Sequence, residues 1–234
     1  MEAMMLSSQG CPNVCPAGQW PVSNAHFQNW SCTCVDDPQF DVGVVLAAGA
    51  SCPKLSGRST KIELVLSMDD EDNQNQNSRS GFIGTTVYTS NTKFRFCAVP
   101  GLGFQPSTSG NYSVVRMGIN CPPGSVSMSR FFDNEDNQNA NSTDGHVPPN
   151  FSDSQGTRIE FCQFRASASG STSPFPNIAG PSYGVFAPAS IGGAIQTGFV
   201  KTDDEDTDNI NDLQGDFGGS DSWLQQGGSS PLCQ

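Results

Sequence analysis

Three runs of the chain concentrate oxygen ligands: residues 69–81 (DDEDNQNQNSRSG), 133–145 (DNEDNQNANSTDG) and 203–215 (DDEDTDNINDLQG). They align without a gap on D-[DN]-E-D-x-x-N-x-N-x-x-x-G, so six positions are fixed in all three copies. Repetition that strict marks a built feature, not an Asn-rich background. Consecutive carboxylates repel one another, more so when a fold draws them inward, and something must offset that repulsion. Asp, Glu and Asn side chains supply the hard oxygens that Ca²⁺ takes in six- to eight-fold coordination. The expected ligands are Asp69, Glu71, Asp72, Asn75 and Asn77 in the first run, and Asp133, Glu135, Asp136, Asn139 and Asn141 in the second. In the third they are Asp203, Glu205, Asp206, Asn209 and Asn211. The closing Gly lets the chain turn sharply after the ligands. The spacing is not that of the EF-hand loop. The competing reading is a solvated acidic turn whose Asn side chains bond nearby backbone.

Charge arithmetic isolates these runs. The chain has 234 residues, with 23 acids against 11 bases and a net charge of −12. Twelve of the acids lie in the first nine positions of the three runs, so the remainder of the chain is neutral. Lys and Arg are too few for electrostatic binding of nucleic acid or of an anionic membrane surface. The longest apolar stretch, VGVVLAAGA at 42–50, is far short of the ~20 residues that cross a bilayer.

Catalysis finds little footing, and no enzyme activity is expected. His26 and His146, the two histidines, sit in no nucleophile motif. The acids come as contiguous runs, not as the two separately placed carboxyls of a glycosidase. Trp223, in the polar stretch GGSDSWLQQGG, could stack on a sugar face or cap the local core.

The elements that position the runs repeat as well. An aromatic-x-Val step opens each unit at Phe40, Tyr112 and Tyr183, spaced 72 and 71 residues apart. Cys52-Pro53 and Cys121-Pro122 follow in the first two units, and Gly192-Gly193 stands there in the third. The units close on TKFRFC at Cys97, TRIEFC at Cys162 and PLC at Cys233. Positional match predicts the disulfides Cys52–Cys97 and Cys121–Cys162, each worth roughly 4 kcal/mol in the chain-entropy account. Cys11, Cys15, Cys32, Cys34 and Cys233 are left, an odd number, so one stays free or bonds across chains.

Alternation of period two, as in KIELVLSM at 61–68 and TKFRFC at 92–97, predicts strands, and no window reads as an amphipathic helix. The expected fold is all-β: three internal repeats of about 70 residues in a pseudo-threefold prism- or trefoil-like arrangement, stabilised by disulfides, with a β-sandwich as the alternative. Residues 1–39 form a cysteine-rich leader and residues 40–234 the three-repeat domain. Nine cysteines point to an oxidising, extracellular setting. Sequons at Asn29, Asn111, Asn141 and Asn150 permit glycosylation. The N-terminal MEAMMLSSQGCP lacks the basic and apolar stretches of a secretory signal, so export rests on a removed or unconventional one.

The succession of aromatic-x-Val, Cys-Pro-Pro-Gly at 121–124, FDNEDNQNAN and a TRIEFC strand resembles the apextrin C-terminal domain, ApeC. The first unit, with MDDEDNQNQN and NTKFRFC, is similar to it too, and the resemblance runs from about Phe40 to Cys233. It implies a secreted or surface protein, non-enzymatic, that recognises microbial cell-wall glycans such as peptidoglycan in innate immunity, or that serves adhesion. The leading expectation is therefore a calcium-dependent glycan-binding module. The alternative is a subunit of an extracellular filament or matrix, self-associating through its N-terminal cysteines.

Overall fold

The computed structural model describes residues 19–26, 29–36, 38–46, 49–55, 61–70, 77–81, 87–88, 91–134, 139–145, 150–176, 183–187, 191, 197–202, 212–215 and 229–233. The described residues form strands, turns and two short 3₁₀ turns, without an α-helix. A leading hairpin of β1 (Gln19–His26) and β2 (Asn29–Asp36) forms its own two-stranded sheet.

The rest is one antiparallel sheet of fourteen strands that curls into a half-barrel. Its strands recur in the same order. The first unit has β3 (Asp41–Leu46), β4 (Glu63–Asp69), β5 (Ser78–Ser80), β6 (Val87–Tyr88) and β7 (Asn91–Pro100). The second has β8 (Tyr112–Arg116), β9 (Ser125–Phe132), β10 (Ser142–Asp144), β11 (Phe151–Asp153) and β12 (Gly156–Phe164). The third has β13 (Tyr183–Phe186), β14 (Thr197–Lys201), β15 (Asp212–Gly215) and β16 (Ser229–Cys233).

Pairing repeats too. In each unit the last strand lies between the first and the second: β7 between β3 and β4, β12 between β8 and β9, β16 between β13 and β14. The third strand of a unit pairs outside it. β10 joins β4, β15 joins β9 and β5 joins β14. The opening strands β3, β8 and β13 pair with one another.

Because the opening strands are covered on both sides, β3 and β8 carry buried apolar residues on both faces, Val44 and Val45 in one and Val114 and Val115 in the other. On one face Val45, Leu64, Leu66, Met68, Phe96, Phe161 and Phe186 share a cluster. On the other Val42, Val44, Tyr112, Phe164 and both disulfides pack together. Rings from three units meet at Phe186, whose centroid is 6.2 Å from Phe96 and 5.4 Å from Phe161. Gly43 lets β3 pack closely beside them: a Cβ there would lie 2.8 Å from Met117 Sδ, 3.1 Å from Val115 Cβ and 3.2 Å from Phe96 Cβ.

The aromatic that opens units two and three has a polar task as well. Tyr112 donates to the Gln105 carbonyl and Tyr183 to the Pro176 carbonyl, each at 2.7 Å and seven residues upstream. Each phenol thus pins the segment that leads into its own strand, and burial pushes both far above the usual tyrosine range.

Candidate functional site

The first two acidic runs follow β4 and β9 and lead into β5 and β10, so each run carries the chain from its own unit to the strand it lends elsewhere. Their closing glycines, Gly81 and Gly145, adopt φ of 89° and 73°, the left-handed region where a side chain is disfavoured. A Cβ on Gly145 would also fall 2.0 Å from the Glu63 carbonyl oxygen.

At the base of each run the same three-membered contact recurs. In unit one, Asp70 Oδ2 accepts from Thr92 Oγ1 at 2.5 Å and from Asn77 Nδ2 at 2.7 Å. In unit two, Asn134 Oδ1 accepts from Thr157 Oγ1 at 2.7 Å and from Asn141 Nδ2 at 3.2 Å. Both hubs are sealed from water, Asp70 at 0% and Asn134 at 1% exposure.

The two bases then interlock. Asn134 Nδ2 donates to Asp70 Oδ1 at 3.5 Å, the Asp69 amide donates to Asn141 Oδ1 at 2.6 Å, and the Ala140 amide donates to Asp69 Oδ2 at 2.6 Å. Asn141 Nδ2 reaches the Asp153 carbonyl at 2.8 Å as well. Ser152 Oγ contacts Thr157 Oγ1 and donates to the Ser67 carbonyl, each at 2.6 Å, and so extends the seam toward β4. Burial pushes the Asp70 carboxyl up to about 7, against the bonds from Thr92 and Asn77 that lower it.

Several expected ligands are therefore placed. Asp69 and Asp133 are buried at the ends of β4 and β9; Asn77, Asn139 and Asn141 are half-buried, and Asn139 Oδ1 accepts the Asn141 amide at 2.8 Å. Asp69, Asn139 and Asn141 bond backbone groups, and Asn77 and Asn141 bond the hubs Asp70 and Asn134. Glu71, Asp72, Asn75, Glu135, Asp136, Asp203, Glu205, Asp206, Asn209, Asn211 and Trp223 lie outside the described residues. Among the described residues no three His, Cys, Asp or Glu side chains gather as a metal cage.

The hubs Asp70 and Asn134 and their partners Thr92 and Thr157 are not among the expected site residues. Both threonines stand five residues before the closing cysteine of TKFRFC or TRIEFC, and that shared offset is the pattern that could have found them. Both predicted disulfides are formed, Cys52–Cys97 with Cα atoms 5.2 Å apart and Cys121–Cys162 with 5.3 Å. Cys11 and Cys15 lie outside the described residues, and of Cys32, Cys34 and Cys233 the backbone alone is described. Among the described residues no helix is long and apolar enough to cross a membrane.

No curated protein and no solved structure matches the chain. A family profile does: the one described as bacterial ApeC aligns with residues 34–173, which takes in the whole of units one and two and stops ahead of β13. With both interlocked acidic runs and both disulfides inside that match, the chain belongs to the bacterial ApeC family.

Proposed function

We propose that the chain is a secreted, non-enzymatic carbohydrate-recognition module for cell-wall glycans, with acidic loops rigidified by Ca²⁺ and three units set about a pseudo-threefold axis. The observation that carries the reading is the exchange of third strands, unit two onto one, three onto two and one onto three. A closed exchange of that kind supports a prism-like body whose three acidic runs sit at equivalent corners. The hydrogen bonds at the bases account for motif positions one, two and nine. Cation binding supplies a reason for the Glu and Asp fixed at positions three and four: Glu71 and Asp72, Glu135 and Asp136, Glu205 and Asp206.

Melting the full chain with Ca²⁺ and with chelator, alongside sedimentation with insoluble peptidoglycan, tests both halves. A rise of several degrees with Ca²⁺ and co-sedimentation lost in chelator are expected. Indifference to Ca²⁺ rejects the ion, and absence from the pellet in both conditions rejects glycan recognition.

A covalent assembly is the second reading, a filament or matrix subunit. Two disulfides use four of nine cysteines, and the odd remainder of five supports it. Ladders on non-reducing gels that collapse on reduction are its expected result; a single monomer band rejects it.

A further inference from the structure

On the face of the sheet opposite Leu64, Leu66 and Met68, a groove of about 240 Å³ runs across β10, β4 and β7. Strand register sets its walls in two rows, Ser142–Ser67–Lys93 and Asp144–Val65–Arg95. Lys93 and Asp144 therefore stand at opposite corners, two strand spacings across and two residues along, ~12 Å between backbones. Among the described residues neither makes an ion pair. The Arg95 guanidinium is clamped by Glu63, with Nη2 donating to Oε2 at 2.9 Å and Nε to Oε1, so it is fixed in place.

The repeat supplies an internal comparison. Lys93 pairs in register with Ser67; its counterpart in unit two, Arg158, pairs with Phe131 and lies over that ring, 5.6 Å from the centroid. An aromatic ring thus occupies in unit two the register position that a serine leaves open in unit one, and the cation there is already engaged.

We propose that this groove is a subsite for one carboxylate-bearing sugar residue. Its carboxylate sits against Lys93 and the outer edge of Arg95, its hydroxyls bond Asp144, Ser67 and Ser142, and its C–H face rests on Val65. Charge assistance makes the carboxylate contact the strong one. The volume is below the ~300–1,000 Å³ of sites for drug-sized ligands, which suits a single ring over a longer oligosaccharide. The assignment rests on the glycan-recognition reading and names a ligand class and a place for it.

The test is titration of the full chain, followed by NMR or calorimetry, with sodium glucuronate and with glucose, in the wild type, Lys93→Gln and Ser67→Phe. Millimolar binding of glucuronate, at least tenfold weaker in both variants and absent for glucose, is the expected result. Lys93 is exposed on the sheet surface, so its variant keeps the fold even where the bulkier Ser67→Phe does not. No glucuronate binding, equal binding of glucose, or binding unchanged by Lys93→Gln overturns the proposal. Peptidoglycan sedimentation run in parallel separates the two readings. Glucuronate binding that depends on Lys93 without sedimentation retires the cell-wall reading alone; sedimentation without glucuronate binding retires the subsite alone.

Discussion

Asn77 donates its side-chain amide to the Asp70 carboxylate at 2.7 Å, and one unit later Asn141 does the same to Asn134 at 3.2 Å. A carboxyl in one copy and an amide in the other serve the same two donors, so the contact needs an Oδ atom and not a charge. The repeated acidic motif is thus, at its base, a hydrogen-bonded clamp on the crossover between units.

Asn141 carries the most of that clamp, accepting from the Asp69 amide and donating to Asn134 and Asp153. Asn141→Ala strands a part-buried backbone donor and should cost about 2–3 kcal/mol, read as a lower urea midpoint at unchanged slope. A loss below about 0.5 kcal/mol would show the clamp to be decorative.

Asp70 makes stability depend on pH. Its folded carboxyl titrates near 7 against 3.8 for an ordinary Asp. Between those values the folded state holds a proton that the unfolded chain has released, so stability is greatest at the acid end, falls as pH rises through the window and levels off above it. At ~1.4 kcal/mol per pH unit the fall is bounded at roughly 4 kcal/mol. Urea midpoints from pH 4.5 to 7.5 in chelator should show the decline, and Asp70→Asn, copying Asn134, should flatten it. An equal slope in the variant assigns the dependence elsewhere.

The disulfide Cys52–Cys97 closes a sequence separation of 45 residues. The double variant Cys52→Ala/Cys97→Ala, which leaves no lone thiol, should lose about 2–5 kcal/mol. Thermal melts under oxidising conditions measure it, and an unchanged melting temperature would contradict it.

Gly43 faces Val115 and Phe96 where the opening strands meet. Gly43→Val overfills that junction and should destabilise by about 1–3 kcal/mol. A neutral result in denaturant melts would mean that the junction is looser than the contacts imply.

Two sequons are spoken for by the fold. Asn150 is 2% exposed, with Nδ2 on the Arg116 carbonyl and Oδ1 on the Glu160 amide, and both ends of the Asn141 amide are bonded. Protein secreted from a glycosylating host should carry no glycan at either position. Peptide mass spectrometry decides it, and an occupied Asn150 in folded protein refutes the expectation.

The strands were legible because each half-buried one, such as β7 with Phe94 and Phe96 inward and Lys93 outward, writes its two faces locally. The disulfides were legible because two copies repeat the same cysteine positions. The loan of β10 to β4 was not. It joins residues some 75 positions apart, and no local pattern encodes such a partner. Position two of the motif, Asp70 or Asn134, escaped notice because counting charge separates Asp from Asn, whereas the clamp uses the acceptor that both possess.

The lent strands set this chain apart from stacked repeats, where a copy can be gained or lost at an end and the neighbours barely notice. Here, cutting out any one unit would strip a β-partner from a second and orphan a strand of the remaining one. Deletion of a single unit would leave raw sheet edges open to aggregation.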